Sequence, residues 1–471
     1  NWTNDPVEDG ESEEIYLRNE DNGRVWSISP KPVRDNGEYI IKHGFGYSIF
    51  THEFEGIIGE ITMFAAKEHS AKLCIVKLKN NTNEKRKISI TYYARMVLGV
   101  NPEHTAQYIS TYYNHDEQYI YANNPYNKYF NKLYAYLKIM GGDDISYTGN
   151  RKEFFGREGS IEFPKALKKA GLSNTAGSGF DPCISMSCKV NLEPSEEKYL
   201  TIILGEDESI ENINDIVHKF SDINIVNNEL LLVKKDWSDI LGKIKVKTPD
   251  KTMDILLNGW LMYQTISCRL WSKTAFYQSG GAVGFRDQLQ DSMAALYLNP
   301  QICRNQIIHS ASRQYAEGDV QHWWHPIINS GIRTRFSDDL LWMPFVTADY
   351  IKNTGDYSIL EEKQPYLKDK PLEEGEDERY SIISDTEGED TIYNHCIRAI
   401  DRSLKFGSHG IPLMGSGDWN DGMNTVGNGG KGESVWLGWF LYTILDKFAQ
   451  LCRFKNHGEK ADKYVKAKDL L

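Results

Sequence analysis

The chain has 471 residues, of which 40% are hydrophobic and 25% charged, and its formal net charge at pH 7 is −12. This length exceeds one ordinary core, so we expect two or more domains. The negative charge disfavours nucleic acid and anionic membranes as partners. No apolar run of about 18 or more residues is present, so we expect no membrane span. Seven cysteines with scattered spacings predict buried free thiols in a reducing cytoplasm and no metal site.

The first 205 residues show the pattern of β-strands. In Lys87–Leu98 apolar side chains alternate, which places them on one face of a strand. The polar stretch Asn80–Arg86 joins this segment to Ala71–Lys79, and we predict a hairpin there. Further strands are predicted at Tyr39–Ile41, Tyr47–His52 and Ile57–Phe64. A long run of strands without helices favours a β-sandwich over residues 1–205.

From residue 206 the apolar pattern becomes helical. We predict a helical linker over 206–245, formed by Glu211–Phe220 and Asn227–Leu241, and a helical domain over 246–471. Asp250 can cap its first helix. Three long helices follow, at Asp338–Thr354 closing at Gly355, at Thr391–Lys405 closing at Gly407, and at Val435–Cys452. The irregular segments between helices, notably 272–286, 317–336 and 407–433, are rich in Gly, Trp, His and Asp, and ordered loops of this kind often carry binding groups.

Residues 415–424, GSGDWNDGMN, are the most informative of these segments. Glycine permits sharp turns and close approach to a ligand, while an indole, amides and carboxylates together suit a sugar ring. A carboxyl beside an indole is partly desolvated, which raises its pKa and suits a general acid. Gly, Asn and Asp are also ordinary turn residues, so a surface loop remains the alternative.

Neighbouring segments strengthen the functional interpretation. They are GFRDQLQD at 284–291, EGDVQHWWHP at 317–326, GIRTRFSDDLLW at 331–342 and GESVW at 432–436. Together with residues 415–424 they resemble the inverting β-glucoside phosphorylases of glycoside hydrolase family 94, over nearly the whole chain. The resemblance implies an α+β multidomain architecture: an N-terminal β-sandwich (1–205), a helical linker (206–245) and an (α/α)6 barrel (246–471). About four helix pairs fit the last segment, so the barrel is expected to be truncated at the C-terminus.

The same resemblance implies the roles of particular residues. Asp421 matches the general acid, and Trp419 shapes the subsite of the cleaved glucose. Arg333 and Asp339 are expected to bind the hydroxyls of that glucose. Asp338 is either a further sugar ligand or a helix-capping residue. The remaining carboxylate of the loop, Asp418, is expected to be structural and to accept backbone N–H bonds.

The implied reaction is phosphorolysis, in which one acid protonates the leaving oxygen and inorganic phosphate attacks. No metal or organic cofactor is expected, and phosphate is the co-substrate. An inverting hydrolase needs a second carboxylate as base, for which Glu317 and Asp319 are the candidates. His322 and His325 have the spacing of metal ligands but lack a third ligand, so core or sugar-stacking roles are favoured. Arg286 and Asp287 either pair internally or reach the site.

Specificity is the least determined feature. SYTGNRKEF at 146–154, GFDPC at 179–183 and SCRLW at 267–271 favour β-1,2-glucan oligomers over cellobiose or cellodextrins. A third function remains open: a non-catalytic carbohydrate-binding or packing module of a cyclic β-1,2-glucan synthase. The expected partners are a β-glucan oligosaccharide and phosphate, with a C-terminal remainder or a second chain completing the barrel. Assembly as a homodimer is left open.

Overall fold

The computed structural model describes residues 12–272 and 281–471. The chain divides into two compact units, Asn1–Asp239 and Ile240–Leu471. Within the described residues, no helix combines the length and apolar character needed to cross a membrane. Six cysteines are buried free thiols as expected, whereas Cys268 is exposed.

The first unit is built from strands β1–β13. Their bounds are Glu13–Asn19, Val25–Trp26, Tyr39–Gly44, Tyr47–Phe54, Ile57–Ala65, Ala71–Asn80, Arg86–Arg95, Ser110–Asn114, Tyr119–Asn123, Tyr134–Met140, Asp143–Asn150, Pro182–Leu192 and Glu197–Asp207. They form a five-stranded sheet, in the order β11-β12-β7-β1-β2, and an eight-stranded sheet, in the order β3-β4-β5-β6-β13-β10-β9-β8. Alternate residues of β7, including Ile88, Ile90 and Tyr92, enter a core shared with residues of the larger sheet. The predicted β-sandwich is therefore confirmed.

The hairpin predicted from β6 and β7 is wrong. β6 pairs with β5 and β13, whereas β7 pairs with β1 and β12 in the other sheet. Both strands contribute an apolar row to the same core, and placing them in opposite sheets buries each row against the other. The polar connection carries the chain between sheets, and Asn80 stabilises it by donating to the carbonyls of Glu84, Leu192 and Glu193.

The described residues of this part of the chain also form the α-helices α1 (Pro102–Thr105), α2 (Arg151–Phe155), α3 (Ile210–Lys219) and α4 (Ile223–Leu241). The last two match the predicted linker helices, and Ser209 caps α3 by accepting from a backbone N–H. The boundary between the compact units follows Asp239, so α3 and most of α4 are grouped with the sandwich.

The second unit is mainly helical. Its α-helices α5–α12 are Lys251–Ile255, Leu261–Gln264, Phe285–Ala294, Pro300–Ala311, Asp339–Thr354, Ile392–Ser403, Val435–Phe454 and Gly458–Leu470. Wider π-type turns interrupt the first of the predicted helices at Leu256–Trp260 and Thr265–Ser272. Asp250 caps α5 and Gly355, in the left-handed conformation, ends α9, both as predicted. The core of the unit lies among α7–α12.

Two of the segments predicted to be irregular contain strands. β14 (Val283–Gly284), β15 (Gln321–His325), β16 (Ser330–Thr334) and β18 (Glu378–Ile382) form a four-stranded sheet, and β17 (Lys363–Leu367) pairs with β19 (Thr386–Thr391). Residues 273–280 lie outside the described residues. β14 leads directly into α7, and β16 leads into the turn before α9. The sheet therefore fixes the positions at which these two helices begin.

Candidate active site

Residues 415–424, which we call the acidic loop, dock against the turn before α9. Phe336 forms bridges with Gly415 and Gly417. Gly415 has a φ of +68°, and a Cβ atom there would lie 2.1 Å from the carbonyl oxygen of Arg335. A side chain at this position would therefore collide with backbone. These two glycines permit the close approach that brings the acidic loop to α7 and α9.

Asp418 is a structural residue of this loop, as expected. Its Oδ1 accepts the backbone N–H of Asn420 at 2.9 Å, and its Oδ2 accepts the hydroxyl of Ser434 at 2.6 Å. Its carboxyl group is buried and both oxygens are engaged. The loop is thereby attached to the start of α11, and the next carboxylate, Asp421, is left facing outward with 51% of its side chain exposed.

Arg286, in the first turn of α7, connects the carboxylates of the site. Its Nη2 donates to Oδ1 of Asp421 at 2.9 Å, and its Nη1 lies 3.2 Å from Oδ2 of Asp338 and 3.3 Å from the carbonyl oxygen of Asp418. The side chain is 7% exposed. The sequence left open whether Arg286 pairs with Asp287 or reaches the site; among the described residues its partners are Asp338, Asp418 and Asp421 rather than Asp287.

His322, on β15, lies beside the same acid. Its Nδ1 is 2.7 Å from Oδ2 of Asp339, its ring stacks on Phe336 at 4.6 Å, and its Nε2 is 3.9 Å from Oδ2 of Asp421. Burial lowers the pKa of the imidazole, but the charge and hydrogen bond of Asp339 and the charge of Asp421 outweigh it and raise the pKa to about 9. His322 is therefore cationic at neutral pH.

Asp338 is neither an open sugar ligand nor a side-chain cap. It is fully buried and occupies the N-cap position of α9, but its side chain accepts no hydrogen bond from that helix's backbone. Its Oδ2 instead accepts from Arg286 and from the indole N–H of Trp342 at 3.1 Å. Burial and the neighbouring charge of Asp339 raise the pKa of this carboxyl above its ordinary range, and Arg286 offsets only part of the shift.

Arg333 is placed differently from its expected role. The side chain is fully buried, and every nitrogen of its guanidinium has an internal acceptor. Nε and Nη2 each lie 2.8 Å from a carboxylate oxygen of Asp319, Nη2 also reaches Glu317, and Nη1 donates to the carbonyls of Asp369 and Lys370. The arrangement leaves no N–H for a sugar hydroxyl, because a guanidinium's donors are fixed in one plane.

The two candidate bases of the hydrolase alternative belong to this same arrangement. Glu317 pairs with Arg333 at 3.1 Å, and Asp319 pairs with both Arg333 and Arg402, the latter at 3.4 Å. Asp319 is also 5% exposed. Neither carboxylate contacts Asp421, Arg286 or His322 in the described part of the chain, and both are paired with the buried Arg333.

Exposed aromatic side chains border the acidic loop. Trp419 is 55% exposed, and its ring centroid lies 6.4 Å from that of Trp436 at the start of α11. A separate cavity of about 600 Å³ is lined by Phe336, Ser416, Arg402 and other residues, but not by Asp421 or Trp419. The open side of the acid is therefore an aromatic-bordered surface rather than this cavity.

The described residues contain no group of three or more His, Cys, Asp or Glu side chains placed to hold a metal ion. Sequence reasoning did not assign Arg286 or His322 to the acid. Both lie in the quoted motifs, but no local pattern reports a contact between Arg286 and Asp421, which are 135 residues apart. The only hint in the sequence was that several motifs carry charged or polar side chains, which suggests that these motifs meet at one site.

The structure combines a β-sandwich unit with a helical unit, and in the helical unit a loop carries a carboxyl group flanked by arginine, histidine and exposed indoles. This combination is typical of a two-domain carbohydrate-active enzyme. The supersandwich domain of Glycosyl hydrolase 94 matches residues 1–223, and the catalytic domain of the Glycosyl hydrolase 94 superfamily matches residues 236–471. The chain therefore belongs to glycoside hydrolase family 94, and the fold class and family predicted from the sequence are confirmed.

Several relatives are known. The cyclic beta-(1,2)-glucan synthase NdvB of Rhizobium meliloti is 36% identical over 97% of this chain and 16% of its own length. N,N'-diacetylchitobiose phosphorylase of Vibrio furnissii is 27% identical over 96% of this chain and 58% of its own length. Solabiose phosphorylase of Paenibacillus borealis is 25% identical over 93% of this chain and 54% of its own length. This chain thus spans little more than half of these phosphorylases and a smaller part of the synthase.

Two solved structures share the fold. A bacterial glucoamylase complexed with acarbose has a TM-score of 0.58 at 10% identity, covering 97% of this chain and 60% of that one. A putative kojibiose phosphorylase from the human microbiome has a TM-score of 0.56 at 9% identity, covering 97% and 57%. The expected classification as an enzyme of the glycosyltransferase type agrees with the phosphorylase names among the family relatives.

Proposed function

We propose that this chain belongs to an enzyme that catalyses inverting phosphorolysis of β-linked gluco-oligosaccharides, releasing α-glucose 1-phosphate. Asp421 is the general acid and inorganic phosphate the nucleophile. The observation that carries the proposal is the contrast among carboxylates: Asp421 is half-exposed, whereas Asp338, Asp339 and Asp418 are buried and held by internal partners. A half-exposed acid beside Arg286 and His322 suits phosphorolysis, because an anionic nucleophile needs no second carboxylate as base.

The charges around Asp421 support the same reaction. A chain of net charge −12 offers phosphate no general attraction, so any binding must be local. Arg286 and the cationic His322 lie on two sides of the acid. As the proton moves from Asp421 to the glycosidic oxygen, the bond from that oxygen to the anomeric carbon breaks, and a phosphate oxygen bonds to the opposite face of that carbon.

Two side chains are proposed to contact the cleaved glucose. Asp339 is 1% exposed, and its Oδ1 has no hydrogen-bond partner among the described residues. A buried acceptor without a donor is costly, and a sugar hydroxyl would satisfy it. The exposed face of Trp419 offers a stacking surface. Arg333 and Asp338, also expected to bind substrate, are instead proposed to shape the site from within.

For the linkage, we propose β-1,2-glucan oligomers in preference to cellobiose or cellodextrins. The relative named as a cyclic beta-(1,2)-glucan synthase is 36% identical, against 27% and 25% for the two disaccharide phosphorylases described above. The hydrolase alternative has less support, because its candidate bases are paired with Arg333. A non-catalytic module is disfavoured by the exposed and flanked acid.

The decisive experiment uses the full-length polypeptide containing this chain. Sophorose-series and cellobiose-series oligomers are incubated with and without phosphate, with Asp421→Asn as control, and glucose 1-phosphate and free glucose are measured. We expect phosphate-dependent glucose 1-phosphate from the β-1,2 series. Undiminished sugar release in phosphate-free buffer would establish the hydrolase, and no turnover by any series would favour the binding module. Three expectations remain predictions: completion of the barrel by a further polypeptide, assembly as a homodimer, and a cytoplasmic location. The mass of the protein in solution tests the first two.

A further inference from the structure

The imidazole of His322 is held on three sides. Asp339 accepts from Nδ1 at 2.7 Å, and Phe336 stacks on the ring with 12° between the planes. The remaining nitrogen, Nε2, is directed towards Oδ2 of Asp421 at 3.9 Å. The side chain is 16% exposed. A ring fixed in this way has its tautomer and orientation determined, and only Nε2 is left to act on another group.

The carboxylate of Asp421 depends on residues outside its own loop. Arg286 donates to Oδ1 at 2.9 Å, and His322 faces Oδ2. In the described part of the chain these are its only polar partners. Because Oδ1 accepts the N–H of an arginine that cannot be deprotonated, the proton that leaves the carboxyl group is carried by Oδ2.

We propose that His322 positions Asp421 and supplies the proton that Asp421 passes to the leaving oxygen. This rests on the proposed function, in which Asp421 is the general acid. The Nε2–H bond breaks as the Oδ2–H bond forms, and the Oδ2–H bond then breaks as the glycosidic oxygen is protonated. The imidazole is left neutral, with Nδ1–H still donated to Asp339. The proton of the attacking hydrogen phosphate later restores Nε2–H, so the enzyme ends each cycle unchanged.

The distance of 3.9 Å exceeds a hydrogen bond by about 1 Å. Catalytic hydrogen bonds are often long without substrate and shorten in the complex. The charged groups facing the imidazole are Asp339 on α9, Asp421 on the acidic loop and Arg286 on α7. The two carboxylates favour the protonated imidazole and the arginine opposes it. The balance leaves both ring nitrogens of His322 protonated at neutral pH.

The first test is kinetic and uses the full-length enzyme. His322→Gln should lower kcat/KM by about 10- to 100-fold, which is part of the 10²–10⁴-fold typical of a general acid. Wild-type activity should fall above about pH 9, where His322 loses its proton, and the variant should not show this fall. His218→Gln, at an exposed histidine paired with Glu117, is the matched control and should keep the wild-type rate and pH profile. In the Asp421→Asn background, His322→Gln should cause no further loss. A full additive loss, or a wild-type pH profile for His322→Gln, would overturn the proposal.

A second measurement requires no turnover. The ring of His322 is titrated by NMR in labelled wild-type enzyme and in Asp421→Asn. We expect a lower pKa in the variant, because one of the two carboxylates that favour the cation is gone. An identical titration in both proteins would show that the two groups do not interact. If the pKa of His322 falls in Asp421→Asn but the wild-type enzyme shows no phosphorolysis, the interaction between His322 and Asp421 stands and the proposed function is rejected.

Discussion

Replacing Arg333 separates a structural role from sugar binding. In the structure its guanidinium bridges Asp319, Glu317 and two backbone carbonyls without any exposed surface. Arg333→Ala would leave the buried carboxylate of Asp319 with only Arg402, at 3.4 Å. Breaking a buried pair by removing one partner typically costs about 3–5 kcal/mol. For a domain of this size that corresponds to a fall in Tm of roughly 6–20 °C.

The assay compares thermal unfolding of wild type, Arg333→Ala and the matched control Arg335→Ala. The side chain of Arg335 is exposed and donates to backbone carbonyls of Leu372, Glu373 and Glu376. Because water can replace these bonds and no buried carboxylate loses its partner, Arg335→Ala should cost less than Arg333→Ala. Turnover is then measured at a temperature where all three proteins are folded. If Arg333→Ala unfolds at the wild-type temperature but loses kcat/KM for every glucoside, the structural assignment is refuted and Arg333 binds sugar.

Three further outcomes are expected. Asp421→Asn should lower turnover by about 10²–10⁴-fold with only a small fall in Tm, because Arg286 keeps Asp338 and His322 keeps Asp339 as partners; near-normal kinetics would refute its assignment as the acid. Asp418→Asn, which weakens the bond from Ser434, should lower Tm by more than Asp421→Asn does, as measured by calorimetry. The pKa of His322 is raised to about 9, so protonation of this ring stabilises the folded state. The stabilisation amounts to about 3 kcal/mol. It is fully present below about pH 6.5 and is lost as pH rises through 9. Asp339→Asn should flatten this fall in urea unfolding, and an equal slope would contradict the linkage.

Local rules predicted the elements that depend on local interactions. Asp250 and Gly355 mark helix ends because a cap and a left-handed turn involve only neighbouring residues. The alternation in β7 predicted its inward face for the same reason. The predicted partner of β7 was wrong, because the alternation shows which face of the strand is buried but not which strands pair with its edges.

The candidate site shows a similar division. The motifs predicted a structural role for Asp418, and its two hydrogen bonds agree with that role. They also predicted a partly desolvated acid, whereas the side chain of Asp421 is 51% exposed. They did not predict which acceptors each arginine meets. Arg286 reaches Asp421 across 135 residues, whereas Arg333 turns towards Asp319, only 14 residues away. Such choices depend on how α7 and β16 pack, which a single sequence does not encode locally.

The hydroxyl of Ser434 serves two structures at once. It accepts the backbone N–H of Leu437 as the cap of α11 and donates to Asp418 in the acidic loop. When the loop lifts away, this hydroxyl loses the acceptor that fixes its orientation, which weakens a cap of a kind that contributes about 0.5–2 kcal/mol. Opening of the loop and fraying of the first turn of α11 should occur as one event. Amide hydrogen exchange at Leu437 would then report how often the acid leaves its place, even in protein that has no substrate bound.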